Sequence, residues 1–224
     1  MDAVIFDVDG TLIDSVDLHT LAWQDALRHF GIDAPYDVVR HEIGKGGDQL
    51  LPVFLSKEDL DRRGHEIEQW RGRHYKERYM AEVKAFPEVR ALFERLRADG
   101  KRIALASSAK GDELEHYLKL TGIGDLIEAS TSKDDAERSK PEPDIFQAAL
   151  DRLGIAADRA VVVGDTPWDA IAAARAGLPT IGMLCGGFEP AELEEAGCIA
   201  LYQSPADLLQ RYDDSPIAAK GPRL

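Results

Sequence analysis

The chain has few cysteines, no long apolar run and no excess of positive charge. Cys185 and Cys198 are the only cysteines among 224 residues. They stand in no C-x-x-C and at no metal-ligand spacing, so nothing calls for a thiolate metal site. A chain of this length buries a core without disulfides, and the low count fits a reducing cytoplasm. No apolar stretch approaches the roughly 20 residues of a membrane span. Asp2 stands where a signal peptide would carry basic residues, so neither membrane insertion nor export is expected. Internal repeats and low-complexity tracts are missing too. Lys and Arg number 27 against 41 Asp and Glu, a net charge of −14. That field repels nucleic-acid backbones and anionic lipid, which leaves neither as a partner. It also opposes small anionic ligands, so binding one requires a local cation that reverses the sign.

Hydrophobic residues make up 44% and charged residues 30% of the chain, the balance of a soluble globular protein. Short apolar runs at Ala3–Phe6, Arg102–Ala106, Ala160–Val163 and Thr180–Met183, with a weaker one at Cys198–Leu201, suit strands covered on both faces. Helical stripes lie between them. Val89, Leu92, Phe93 and Leu96 form one that stops at Gly100, and Ile145, Phe146, Ala149, Leu150 and Leu153 form another that stops at Gly154. Pro167 and Gly177 punctuate a third helix. Strands alternating with helices predict an α/β fold with a parallel sheet. Residues 15–86 break the rhythm. They hold no convincing strand, only helical patterns such as Leu18, Ala22, Trp23, Leu27 and Phe30, and they are too long for a loop. This predicts a core of residues 1–14 and 87–212, a helical insert at 15–86, and a frayed tail at 213–224.

Candidate chemistry sits at the carboxyl ends of the predicted strands, where open α/β sheets place ligands. Asp7 and Asp9 follow the first strand, and side chains at i and i+2 of an extended segment point the same way. Gly10 allows the chain to turn beneath them. Ser107 and Ser108 follow the second run, Lys140 precedes a helix, and Asp165 and Asp169 follow the Ala160–Val163 run. Singly, each has an ordinary structural explanation, such as an Asx turn, an N-cap or a solvated lysine. Together they predict a cluster. Asp7, Asp9 and Asp165 on one edge would repel at a cost of several kcal/mol unless a counter-charge is present. A hard divalent cation with oxygen ligands, Mg²⁺ above all, resolves this and lets an acidic protein accept an anion.

Asp7-Val8-Asp9-Gly10-Thr11-Leu12, Ser107, Lys140-Pro141 and Gly164-Asp165-Thr166-x-x-Asp169 resemble, in order and spacing, the four motifs of the haloacid dehalogenase-like hydrolases. The likeness covers nearly the whole chain and is strongest to the subgroup holding phosphoglycolate phosphatase and β-phosphoglucomutase. It implies a Rossmann-like parallel sheet with a helical cap inserted after the first motif. It further implies a Mg²⁺-dependent phosphatase in which Asp7 attacks phosphorus, giving an aspartyl-phosphate, and Asp9 moves protons to and from oxygen. The Asp7 carboxylate, the Asp9 main-chain carbonyl and the Asp165 carboxylate would hold the metal, with Asp169 close by. Ser107 and Lys140 would grip the phosphoryl oxygens.

Asp9 argues against dehalogenase and phosphonoacetaldehyde hydrolase chemistry, neither of which needs a carboxylate there. The expected substrate is a small phosphorylated metabolite, phosphoglycolate-like or a sugar phosphate. A phosphosugar mutase is the alternative, although no arginine follows Lys45 to hold a second phosphate, and a catalytically silent binding module is a further one. Lys45, flanked by Gly44, Gly46 and Gly47, is expected to touch substrate, or else to be a surface lysine in a helix–helix turn. His19 is expected on the helix face beneath the cap, near substrate rather than as a catalyst. Trp168 is expected to pack on the core. A cytoplasmic monomer or homodimer is anticipated.

Overall fold

The computed structural model describes residues 1–109 and 111–218. In chain order the strands are β1 (Ala3–Phe6), β2 (Ile13–Asp14), β3 (Lys84–Ala85), β4 (Arg102–Ala106), β5 (Ala129–Thr131), β6 (Ala160–Gly164), β7 (Thr180–Met183) and β8 (Cys198–Tyr202). The helices are α1 (Val16–His29), α2 (Tyr36–His41), α3 (Gly47–Leu50), α4 (Lys57–Arg78), α5 (Val89–Ala98), α6 (Gly111–Thr121), α7 (Asp144–Leu153), α8 (Pro167–Arg175), α9 (Pro190–Glu195) and α10 (Pro205–Gln210). Six strands form an all-parallel sheet in the order β5-β4-β1-β6-β7-β8. Helices cover both of its faces. This is the Rossmann-like α/β architecture that the sequence predicts.

Alternation along the strands sorts the core. Val4 and Phe6 of β1 face a cluster with Leu92, Phe93 and Leu96 of α5 and Tyr117 of α6. Ala3 and Ile5 face the opposite cluster, where Ala104, Ala106 and Ala160 meet Phe146, Ala149, Ala172 and Ala173. Small residues on that side let α7 and α8 approach the sheet closely. All four residues of β1 are fully buried, so the carboxyl end of this central strand opens at a fixed point between β4 and β6. Here the strand order changes direction, the place where such sheets bind ligands.

The segment between β2 and β3 is helical and has its own apolar cluster, in which Trp23, Leu27, Val39, Leu50 and Ile67 are buried together. β2 and β3 pair antiparallel through Ile13–Ala85 and Asp14–Lys84, so the chain leaves and re-enters the sheet domain side by side. Residues 15–86 therefore do contain a strand, β3, two residues long and invisible to pattern. The tail also differs from expectation. Ile217 is fully buried in the core and Ser215 nearly so, because an apolar residue there still finds the sheet's flank; residues 219–224 lie outside the described part. No described helix is long and apolar enough to cross a membrane.

Candidate active site

Asp7 leaves β1 with its amide bonded to Val163 O at 2.9 Å, which continues the β1–β6 ladder one residue past the strand. The chain then turns at Gly10, whose φ of +78° suits glycine. A Cβ at Gly10 would lie 2.2 Å from Asp165 Oδ2, and one at Gly186 would lie 1.9 Å from the same oxygen. Two glycines thus make room for one carboxylate. Asp165 Oδ1 accepts from Thr11 Oγ1 at 2.8 Å, while Oδ2 is buried without a hydrogen-bond partner among the described residues.

Asp169 caps α8. Its Oδ2 accepts from Thr166 N at 3.1 Å and Thr166 Oγ1 at 2.7 Å, and its Oδ1 lies 2.7 Å from Lys140 Nζ. Lys140 also donates to Asp7 Oδ1. The carboxylates of Asp7, Asp165 and Asp169 offer oxygens within 4.8 Å of one another, and all three residues are buried.

Three carboxylates and one ammonium leave two uncompensated negative charges. Burial, with the charges of Asp169 and Asp9 adding, raises the Asp7 carboxyl to about 7 against the pull of Lys140. Burial raises Asp165 well above the usual carboxylate range, and its neighbours Asp169 and Asp7 add to this. Burial would lower the Lys140 ammonium, but Asp169 and Asp7 outweigh it and hold the group firmly protonated. A divalent cation would balance the charge, and the all-oxygen donor set with its unpartnered Asp165 Oδ2 fits a hard one.

Asp9 differs. Its carboxylate turns away from the cluster and accepts from Ser15 Oγ at 2.6 Å, with His19 Nε2 at 2.8 Å. Burial opposes its ionisation, yet the charge and hydrogen bond of His19, with Ser15 and Arg71, take its carboxyl down to about 2. Arg71 of α4 bonds the other ring nitrogen of His19 and stacks over Trp23 and Tyr75 at 5.2 and 5.1 Å.

A cavity of about 300 Å³ lies between the sheet edge and the inserted helices, lined by Asp7, Asp9, His19, Ser108 and Lys140 among others. Ser107 is not on its wall. It is fully buried, with its Oγ accepting from Ala109 N at 3.0 Å. Lys45 borders the cavity, but its ammonium pairs with Glu42 and sits 3.8 Å above the Trp168 ring. Trp168 is therefore not a core residue; its Nε1 donates to His41 O at 3.2 Å, so it bridges the sheet domain to the insert. Sequence pattern did not single out the α4 and α6 residues on the wall, namely Glu68, Arg71, Arg73, Lys76 and Glu113, nor Lys133. They belong to polar stretches that read as solvated faces.

The sequence model described as "Haloacid dehalogenase-like hydrolase" matches residues 4–183, most of the chain. The chain belongs to that family. It is 35% identical over 191 residues to a phosphoglycolate phosphatase of Aquifex aeolicus, covering 83% of this chain and 86% of that one. A phosphorylated carbohydrates phosphatase of Thermotoga maritima is 28% identical, with 93% and 97% covered. Among solved structures, a hydrolase from Pseudomonas syringae superposes with a TM-score of 0.87 at 33% identity, covering 96% of this chain and 99% of that one.

Proposed function

We propose that this hydrolase removes the phosphoryl group of a small phosphate monoester, with Mg²⁺ as its metal and Asp7 as nucleophile. One observation carries the reading: Asp7 belongs both to the buried acidic cluster and to the wall of the cavity. In this reading residues 15–86 form a cap over a core of residues 1–14 and 87–212. Asp7, Asp165 and Asp169 would hold the ion, together with the Asp9 main-chain carbonyl, and the ion supplies charge neutralisation at the attacking carboxylate and the phosphoryl oxygens.

An oxygen of Asp7 attacks phosphorus, the bond to the leaving oxygen breaks, and Asp9 donates a proton to that oxygen. Water then gives a proton to Asp9 and attacks the aspartyl-phosphate, releasing inorganic phosphate and restoring Asp7. At rest Asp9 is ionised, held low by His19, Ser15 and Arg71. A phosphate dianion entering beside it disfavours that charge and drives the proton uptake that the acid role needs. Lys140 keeps its charge between Asp7 and Asp169, and so screens the repulsion between a carboxylate nucleophile and an anionic target. Ser108, on the cavity wall just after β4, stands where the phosphoryl oxygens would lie, and the buried Ser107 holds the turn beneath it through Ala109 N.

The test is release of inorganic phosphate from p-nitrophenyl phosphate and from sugar phosphates, assayed together with isomer formation. Phosphate release that needs Mg²⁺ and is lost in Asp7→Asn supports hydrolysis. Isomerisation of a hexose phosphate without phosphate release would replace it with a mutase, and full activity of Asp7→Asn would refute the covalent route.

A further inference from the structure

The cavity wall carries more charge than phosphoryl transfer needs, and nearly all of it is paired. Lys76 bonds Asp112 at 2.6 and 2.7 Å, and Lys133 bonds Glu68 at 2.9 Å. Lys45 is paired with Glu42 and Lys140 with Asp7 and Asp169. Arg73, which is exposed, has no partner among the described residues, and two more enclosed groups also stand apart from this pattern. Arg71 Nε is buried without a hydrogen-bond partner. Glu113 is 5% exposed and on the cavity wall, and among the described residues no hydrogen bond or ion pair engages its carboxylate. Arg71 lies 5.1 Å from the Tyr75 ring, whose hydroxyl bonds that of Tyr117, one turn along α6 from Glu113, so both groups border one part of the cavity.

Helix chemistry does not account for Glu113. An acidic residue in a first helical turn favours the helix dipole, but Asp112, exposed and paired with Lys76, already supplies that. A second carboxylate, turned inward beside Leu114 and Tyr117, gains no hydrogen bond or ion pair among the described residues. What supplies one is a bound group with a proton to donate.

We propose that Glu113 and Arg71 select a leaving group bearing hydroxyls, so that the substrate is a sugar or polyol phosphate rather than a phosphate ending in a second anion. A hydroxyl both donates and accepts. It satisfies the Glu113 carboxylate and meets the Arg71 guanidinium on the same wall, within a cavity of about 300 Å³ that suits a small polyol phosphate. A leaving group ending in a carboxylate could use Arg71 but would meet the like charge of Glu113. This assignment rests on the phosphatase reading.

The experiment compares kcat/KM for glucose 6-phosphate and 2-phosphoglycolate, with p-nitrophenyl phosphate as reference, in the parent enzyme and in Glu113→Gln and Glu113→Asp. The parent should favour glucose 6-phosphate. Glu113→Gln should shrink that preference about tenfold or more, the size of a lost hydrogen bond to a charged group, losing on the sugar and gaining on the carboxylate. Glu113→Asp keeps the charge but withdraws it by one methylene, so it should lose on the sugar alone. A structural role would lower all three substrates together and leave the ratios fixed, so each variant is judged on a ratio that partial unfolding does not move. A parent preference for 2-phosphoglycolate, or ratios unmoved in both variants, overturns the assignment alone. No turnover of any of the three by the parent with Mg²⁺ overturns the phosphatase reading and this assignment with it.

Discussion

Replacing Asp7 by Asn should abolish turnover and, in the absence of metal, make the fold more stable. Burial raises the Asp7 carboxyl from 3.8 to about 7, so the ionised group is a burden on the metal-free native state. At about 1.4 kcal/mol per pKa unit, that burden is on the order of 4 kcal/mol near neutral pH. A carboxyl raised on folding keeps its proton longer in the native state than in the unfolded chain. The destabilisation is therefore absent below pH 3.8, grows through the interval and is complete above about 7. Asparagine has the same shape and nothing to ionise, and Lys140 retains Asp169 at 2.7 Å. With roughly 2–4 °C per kcal/mol for a chain of this size, Asp7→Asn should melt on the order of 10 °C above the parent at pH 8 in chelator. The gap should close towards pH 4. Excess Mg²⁺ should narrow it at pH 8 as well, since it stabilises the parent by about 3 kcal/mol at a hundred times its dissociation constant. Differential scanning calorimetry across pH, with and without Mg²⁺, reads all of this. A variant melting below the parent at pH 8 in chelator, or a difference that stays flat from pH 4 to 8, would refute the account of a strained, metal-seeking cluster.

Other consequences follow from single contacts. Gly186→Ala places a methyl 1.9 Å from where Asp165 Oδ2 now lies, so the Mg²⁺ concentration for half-maximal activity should rise at least about tenfold, an unchanged titration counting against Asp165 as a ligand. Asp9→Asn removes the proposed proton carrier and should lower kcat by about 10²–10⁴ with a smaller effect on KM; near-normal kcat would remove Asp9 from the mechanism. Trp168→Ala loses the platform under Lys45 and the bond to His41 O. That loosens the insert against the sheet domain by about 1 kcal/mol, seen as a several-fold rise in KM with kcat largely kept. Tyr75→Phe strands the buried Tyr117 hydroxyl, its partner at 2.6 Å, and should cost about 1–3 kcal/mol in denaturant unfolding.

Strands β1, β4, β6 and β7 are legible in the sequence because a strand inside a parallel sheet must be apolar on both faces, and β8, at one edge and partly exposed, shows only as a weaker run. Edge strand β5, Ala-Ser-Thr, is not. It needs apolar cover on fewer sides, and it forms because Ala104, Leu105 and Ala106 offer it a ladder. The acidic cluster is legible for a related reason, since buried runs that stop abruptly at Asp7 and Gly164-Asp165 mark where the sheet opens. The upper wall of the cavity is not legible at all. In α4 only Gly64, Ile67 and Tyr75 are buried, so a helix with almost no apolar stripe gives no sign of which polar residues turn inward. Arg71 and Lys76 are set by the rotation that Ile67 and Tyr75 impose, a tertiary fact. Lys45 shows the same limit from the other side, since a glycine-flanked lysine suggests an anion ligand, whereas Glu42 and Trp168 already engage its charge.

The sign of the field at the site comes from these unread residues as well as from the proposed metal. A chain of net charge −14 should repel a phosphate dianion, and the sequence alone assigns the reversal to a bound cation. The described wall, however, carries Lys45, Arg71, Arg73, Lys76, Lys133 and Lys140 against Asp7, Asp9, Glu68 and Glu113, six positive against four negative side chains. Glu42 and Asp112 offset two of these cations through Lys45 and Lys76, which leaves Arg71 and Arg73 as the wall cations that no described carboxylate pairs. The cluster of Asp7, Asp165 and Asp169 with Lys140 is negative by two at its floor. The two halves have different tasks. In the proposed reading the upper wall attracts the anion and the floor attracts the cation. Raising ionic strength should therefore weaken substrate capture, read as kcat/KM, far more than it weakens Mg²⁺ held by buried carboxylates, because exposed cations are screened and buried charges are not. Equal salt sensitivity of both would mean that the wall cations take no part in capture.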